Sequence, residues 1–547
     1  MCNEYHRVLY ATQTGCRRTA VRLYKSNLMK KHICILFIFF SIIANAQTFD
    51  VTKYGAIGDG KTINTKALQN TIDACFKNGG GTVFVPTGIF ITGTLNLKSN
   101  VNLHLESGAI LKGSTDINDY IPVNGVHYGM FFTENSENIT ISGTGTIDAN
   151  GDTFFDTTKA KKIEWGGVTS TRQKENFRKV VDGGIGDGPI IPKKRPYQTI
   201  IFSNCKRVTI KDVFITQSTF WTILIADCDS VLIDGIRLWT NMLAPNADGI
   251  DITSGKNITI SNCDVRTGDD AIIVVGYASH FEVPGFKDLR HSSENINIVN
   301  CNLQSASSAI RIGYFDHNSV RNINISNCNI TNSTRGIGIF LRDQGSLENI
   351  NVSNVNIETK LRTGDWWGNG EPIHISAVRG KVKVAGTETE KLGVIKNVTF
   401  TNVNCKAENG ILIYGSEESR PQNINFKNVT FEFIDSKLND VAGGNIDLRG
   451  CLDEKQQLFQ HDIPGIYGQY VDGLTIEDFK LTWTGTRMPY FTNGIEINNF
   501  NDLRISNFKG TGSPINKNAV PVLLENGKKT TLGLDKNLVV KMVKVVN

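Results

Sequence analysis

From residue 257 the chain repeats a short phrase of alternating polarity, Asn-apolar-x-apolar-x-Asn followed by Cys or Val. It reads NITISNC at Asn257 to Cys263, NINIVNC at Asn295 to Cys301, NINISNC at Asn322 to Cys328, NINVSNV at Asn349 to Val355, NVTFTNV at Asn397 to Val403 and NINFKNV at Asn423 to Val429. Successive starts lie 38, 27, 27, 48 and 26 residues apart, a period near 27 with insertions, which is the signature of a solenoid. Alternation with period two predicts short strands of β-branched residues, and no amphipathic helix between them is long enough to cross back. The strands must then stack coil on coil, parallel and about 4.8 Å apart. The pattern predicts an all-β chain, a parallel β-helix of about ten coils.

The recurrent Asn suits the turns, because it tolerates a left-handed bend and its amide can bond the Asn of the next coil. Cys205, Cys228, Cys263, Cys301 and Cys328 occupy a slot that Val355, Val403 and Val429 fill later, so they read as a stacked row of small buried side chains. Free thiols are the expected state, with room for one or two disulfides; no Cys/His set has zinc spacing. Asn64 to Phe76 is the best helix candidate: Asn64 can cap it, and Ala67, Leu68, Thr71, Ile72 and Cys75 share a face, so it is expected to plug the open N-terminal coil. The Gly-rich stretches on either side, Gly58 to Gly60 and Gly79 to Gly81, lead into strand or Thr-rich segments and read as turns, not phosphate loops. The repeat fades after about 510, so residues 47–510 are expected to form the β-helix and 511–547 a closing segment.

At 547 residues the chain is several times the usual domain size, which a repeat array explains. With 40% hydrophobic and 20% charged residues and 52 glycines, it is neither disordered, collagenous nor a polytopic membrane protein. The net charge of +5 belongs to the first 46 residues; without them the balance is −1, which argues against nucleic acid or an anionic membrane as partner. Met29, Lys30, Lys31 and His32 precede an apolar run from Ile33 to Ile43 and then Ala44-Asn45-Ala46, the order of a cleavable export signal. Residues 29–46 therefore read as a signal peptide, with an uncleaved anchor as the alternative, and 1–28 as a spurious extension. The expectation is a secreted or periplasmic monomer, free of the membrane after cleavage.

Acidic residues concentrate on two adjacent coils, in Asn246-Ala247-Asp248-Gly249-Ile250-Asp251 and Gly268-Asp269-Asp270. Asp248 and Asp269 are 21 residues apart, close to one coil, which could set their carboxyls on neighbouring rungs. Like charges that close raise one another's proton affinity and can supply an acid beside a base, the combination that cleaves a glycosidic bond. The plainer alternative is that these aspartates cap turns beside glycine.

These two motifs, with the block from Tyr54 to Gly113, resemble glycoside hydrolase family 28, the polygalacturonase group, over about residues 48 to 510. The resemblance implies a right-handed, pectin-lyase-like parallel β-helix and hydrolysis of α-linked galacturonate or a related pectic sugar with inversion, Asp248 as general acid and Asp269 and Asp270 activating water. The family's Gly-His-Gly should fall near Ser307-Ser308-Ala309, where no His stands; Arg311 follows, as in a bacterial branch. The family's Arg-Ile-Lys strand falls near Gly336 to Arg342 without clean alignment, leaving Arg342, or less favourably Arg335, to substitute.

Arg311 is expected to bind a sugar carboxylate, given its bidentate geometry, and Asn246 to meet the substrate. Trp221 can stack on a sugar or simply pack. Trp366 and Trp367, in a Gly-rich insertion, are expected at the rim of the cleft. His317 and His374 read as structural or surface residues. Insertions at 151–195, 276–294, 360–392 and 436–470 would wall a groove for a pectic polysaccharide or oligosaccharide, and walls of that size lean toward exo action. No metal or organic cofactor is implied. Two rivals stand: a calcium-dependent lyase reusing Asp248, Asp269, Asp270 and Arg311, and a non-catalytic glycan-binding solenoid.

Overall fold

The computed structural model describes residues 47–160, 172–174, 177, 188–277, 289, 291–381 and 391–544. The extension at 1–28, the signal segment at 29–46 and most of the 276–294 insertion lie outside the described residues. Among the described residues no helix is long and apolar enough to cross a membrane.

The fold is all-β, a right-handed parallel β-helix. Alternating residues give two kinds of face. The repeated phrase forms strands such as Lys256–Ser261, Ser293–Val299 and Val320–Ser326, each paired in parallel with the next; Ile258, Ile260, Ile296, Ile298, Ile323 and Ile325 point inward and are completely buried. A second face runs through Ile223–Ala226, Ile250–Thr253, Ile272–Val275, Ser308–Ile312, Arg335–Leu341 and Ile373–Ala377, again in parallel register. On this face nearly every residue is buried, outward ones included, because the insertions cover its outer side.

The turns behave as their asparagines dictate. Asn257, Asn295, Asn322, Asn349, Asn397 and Asn423 all have φ between 53° and 60°, and each amide from Asn295 onward donates to the preceding Asn at 3.0–3.1 Å. Because residues that bond like this must repeat at every coil, the ladder fixes the register. The cysteine row is buried and free of disulfides among the described residues. The helix Thr65–Lys77 buries Leu68, Thr71, Ile72 and Cys75 as expected. Asn64, however, does not cap it: its side chain bonds Ile57 N–H at 2.7 Å and the Ile57 and Thr62 carbonyls, staking down the preceding loop. The stack also runs past residue 510, where Val522–Glu525, Lys528–Gly533 and Val540–Val543 continue the parallel pairing.

Three insertions merge into one wall. Phe155–Ala160 pairs antiparallel with Ile190–Pro192, and Asn445–Asp447 with Leu458–Gln460. Phe177, Leu361 and Ala442, one from each insertion, pack together; Gly364 N–H donates to the Phe177 carbonyl at 2.7 Å, and Arg172 meets Asp462 at 2.6 Å.

Candidate active site

The two acidic motifs close their turns with glycines that no other residue could replace. A Cβ on Gly249 would stand 2.3 Å from the Ala271 carbonyl oxygen, and one on Gly268 2.4 Å from those of Ala244 and Asn241. This close approach of backbones brings the neighbouring rungs together, so that Asp248, Asp269 and Asp270 each place a carboxylate oxygen within 4.8 Å of the others. Asp269 is the half-buried member; Asp248 and Asp270 are each 3% exposed.

Each carboxyl has its own setting. Asp270 Oδ1 accepts the Ser308 N–H at 2.7 Å, and its Oδ2 lies 2.9 Å from Arg311 Nε in an ion pair whose N–H is not aimed along the contact. Asp269 accepts the backbone N–H of Asn246 at 3.1 Å and that of Asp270 at 3.1 Å, while Thr267 and Ser305 hydroxyls fix its carbonyl at 2.6 Å. Asp248 keeps a buried Oδ2 without a hydrogen bond among the described residues. Burial first, then the charges of Asp269, Asp251 and Asp270, drive its carboxyl well above the ordinary range, with Arg311 opposing. Burial works against the Arg311 charge, but Asp270, Tyr277, Asp248 and Asp269 outweigh it and hold the guanidinium more firmly protonated than usual.

Asp251 belongs to this cluster, although sequence reasoning passed it over. Strand alternation turns Ile250 and Ile252 inward and Asp251 outward, in register with Ile273 and then Arg311. It is 1% exposed and neither oxygen finds a hydrogen bond among the described residues; burial raises its carboxyl strongly, Arg311 pulls it down, and Asp270 and Asp269 push it up again. The alternation of Ile250-Asp251-Ile252 was the signal that could have revealed it.

The other expected residues divide. Arg311 stands at the cluster, its guanidinium 5.3 Å from the centre of the half-buried Tyr314 ring. Arg342 is buried beside the same ring at 5.9 Å and, among the described residues, bonds the Leu341 and Ser376 carbonyls and the Ser376 hydroxyl. Arg335 is taken by Glu371 at 2.9 Å. Asn246, with φ 57°, accepts from Arg195 at 3.2 Å and contributes its backbone N–H to Asp269. Arg195, from the first insertion, was not anticipated; it also bonds the Pro245 carbonyl at 3.1 Å and lies over Phe220.

Trp221 packs. It is 6% exposed within a cluster containing Ile201, Leu224 and Ile273, and stacks on Phe220. Trp366, expected at the rim, is 5% exposed instead, because Arg449, from the 436–470 insertion, bonds its carbonyl and Asp365 and pulls it inward. Trp367 is half-buried, with Arg449 over its ring at 5.1 Å and its ring centre 6.5 Å from that of Tyr314 in a T-shaped contact, so it does reach the cleft. His374 is no surface residue: it is 1% exposed, follows Gly338 on the site face, and bonds Glu371 at 2.9 Å. Burial lowers it to about 4, leaving a neutral imidazole. His317 stays in a turn with Gln344.

Residues 186–443 match the family model described as Glycosyl hydrolases family 28. An exo-poly-alpha-D-galacturonosidase of Dickeya chrysanthemi is 29% identical over 255 residues, 41% of this chain and 41% of that protein. An exopolygalacturonase of Zea mays is 26% identical over 295 residues, 50% of this chain and 64% of that protein. The match thus spans less than two thirds of either relative. The hyperthermoactive exopolygalacturonase of Thermotoga maritima superposes with a TM-score of 0.52 over 71% of this chain and 87% of that one, at 22% identity. The family 28 exopolygalacturonase of Yersinia enterocolitica does so with 0.57 over 85% and 79%, at 17% identity. These superpositions show a shared fold.

Proposed function

Because residues 186–443 belong to glycoside hydrolase family 28, we propose that the Asp248/Asp269/Asp270 cluster hydrolyses the glycosidic bond of α-linked galacturonate or a related pectic sugar. The observation that carries this reading is the approach of the three carboxylates to within 4.8 Å. The proton donor is Asp248, where burial among carboxylates favours a proton, while Asp269, the member open to the cleft, and Asp270 hold the water. The proton goes to the leaving oxygen as its bond to the anomeric carbon breaks. Asp270, held as the ion-pair partner of Arg311, takes a proton from the water whose oxygen bonds that carbon. A water with two bonds of about 2.8 Å at a tetrahedral angle spans about 4.6 Å, so it fits between two of these oxygens.

Two-carboxylate sites at such short separation favour retention, inverting pairs standing about 6.5–9.5 Å apart. The third acid changes the count: one pair holds the water while the remaining carboxyl protonates the leaving group, which permits the single displacement and inversion that we propose. Arg311 and Arg342, both beside Tyr314, would receive the uronate carboxylate. The fused wall supports release from chain ends, in keeping with the exo-acting enzymes named among the relatives.

A cluster of three carboxylates is also a set that could hold calcium, as the lyase reading needs. Arg311 already sits on Asp270, and backbone N–H groups already occupy Asp269 and Asp270, which favours hydrolysis. Incubation with polygalacturonate, following the anomeric protons of the first product by NMR and viscosity against reducing ends, tests the reading. Saturated galacturonate born as the β-anomer, with little fall in viscosity and no effect of chelator, is expected; a product absorbing in the ultraviolet that vanishes with chelator overturns it.

A further inference from the structure

Asn246 stands outside the asparagine ladder. It has the same left-handed backbone as the ladder residues, φ 57°, but where those bond the Asn of a neighbouring coil, Asn246 Oδ1 accepts from Arg195 Nη2 at 3.2 Å. The other arm of the fork, Nη1, donates to the Pro245 carbonyl at 3.1 Å. The guanidinium also lies over two rings, its central carbon 5.0 Å from the centre of Phe155 and 4.9 Å from that of Phe220. A lysine could hold one of these acceptors, but it could neither bridge both nor lie flat against an aromatic face.

The insertion at 151–195 delivers this group. Its strands Phe155–Ala160 and Ile190–Pro192 close as an antiparallel pair, Ile190 N–H donates to the Leu243 carbonyl at 2.8 Å, and Phe155 and Ile190 pack on Ala244 and Ala247. Arg195 is thereby fixed, 9% exposed, over the corner that precedes Asp248. Residues just beyond the corner are tied to the coil by other groups, the Ala247 carbonyl by the Thr240 hydroxyl at 3.2 Å and the Asp248 carbonyl by that of Thr222 at 2.7 Å. The corner itself matters because Asn246 N–H donates to Asp269 Oδ2 at 3.1 Å. That bond depends on the left-handed backbone of Asn246, a conformation that costs most residues roughly 1–2 kcal/mol and that the guanidinium pins from the side-chain end.

Resting on the hydrolase reading, we propose that Arg195 is a positioning residue: without meeting the sugar, it acts through the Pro245–Asn246 corner to hold a backbone N–H against Asp269, one of the two carboxylates that hold the attacking water. Losing that N–H frees Asp269 to turn from the water and makes it readier to take a proton, among the unchanged charges of Asp248, Asp251, Asp270 and Arg311.

The test uses the full-length protein, with polygalacturonate as substrate, and compares the native chain with Arg195→Met, Arg195→Lys, Asn246→Gly and the double variant Arg195→Met/Asn246→Gly. Both Arg195 variants are expected to lower kcat roughly 10–100-fold, the size of a small misplacement, while KM stays within about twofold, as for a residue that does not bind substrate. The acid limb of their kcat/KM profiles should move to higher pH. On top of Asn246→Gly, which takes up a left-handed backbone unaided, Arg195→Met should cost less than about threefold more. Hydrogen exchange of the peptide carrying Asn246 should run about tenfold faster in Arg195→Met than in the native chain. If Arg195→Met fails to fold, Arg195→Lys carries the same readouts. A raised KM with kcat held, full recovery of activity by Lys, or losses that multiply in the double variant overturn the proposal. So does unaltered exchange, which needs no turnover: a native chain that leaves polygalacturonate intact sinks the hydrolase reading, and exchange then still decides whether Arg195 holds the corner.

Discussion

Arg311 and Asp270 form an ion pair at 2.9 Å on adjoining rungs of the site face, with side chains only 15% and 4% exposed. Removing the cation leaves a buried carboxylate unmatched, at a cost of about 3–5 kcal/mol. Arg311→Leu should therefore unfold at lower denaturant concentration than Asp270→Asn, and the double substitution should recover much of the loss. Chemical denaturation of the three variants checks this.

Asp248 gives the opposite sign. Its carboxyl is raised in the folded protein, so the folded state binds more protons than the unfolded one above the ordinary Asp value. The stability it confers is full below that value and falls as pH climbs toward the folded one. Asp248→Asn should thus abolish turnover yet raise stability at pH 8, by on the order of 1–3 kcal/mol, with little gain at pH 4. Equal effects at both pH values in calorimetric scans would refute this.

The asparagine ladder was legible because one chemical demand recurs at every turn. Asn349 has φ 56° and bonds Asn322 and Asn397 at 3.1 and 3.0 Å. Asn349→Ala should cost about 1–2 kcal/mol, and Asn349→Gly less, since Gly keeps the left-handed backbone without strain. Equilibrium unfolding of the two variants measures the difference.

Local sequence was a poor guide where distant segments meet. The Gly-rich surroundings of Trp366 and Trp367 suggested a rim, but Arg449, some eighty residues later, draws Trp366 inward and leaves Trp367 beside Tyr314. The pairing of Asp248 with Asp269 and Asp270 could be read because one coil separates them; Arg195 against Asn246 could not, since an insertion of unknown path delivers it. Asp251 and His374 sit in strands whose alternating isoleucines did mark them as outward. Accordingly Trp366→Ala should cost about 3–5 kcal/mol of stability, whereas Trp367→Ala should leave folding near native and raise KM. Steady-state kinetics beside thermal unfolding separates the two.

The central claim, that neighbouring rungs bring three carboxylates together to add water across a pectic glycosidic bond, is tested most directly in water enriched with oxygen-18. Mass spectra of the products from polygalacturonate should show saturated sugars carrying one heavy oxygen at the new reducing end, with none formed by Asp270→Asn. Unlabelled unsaturated products, or unchanged release by that variant, would contradict the account.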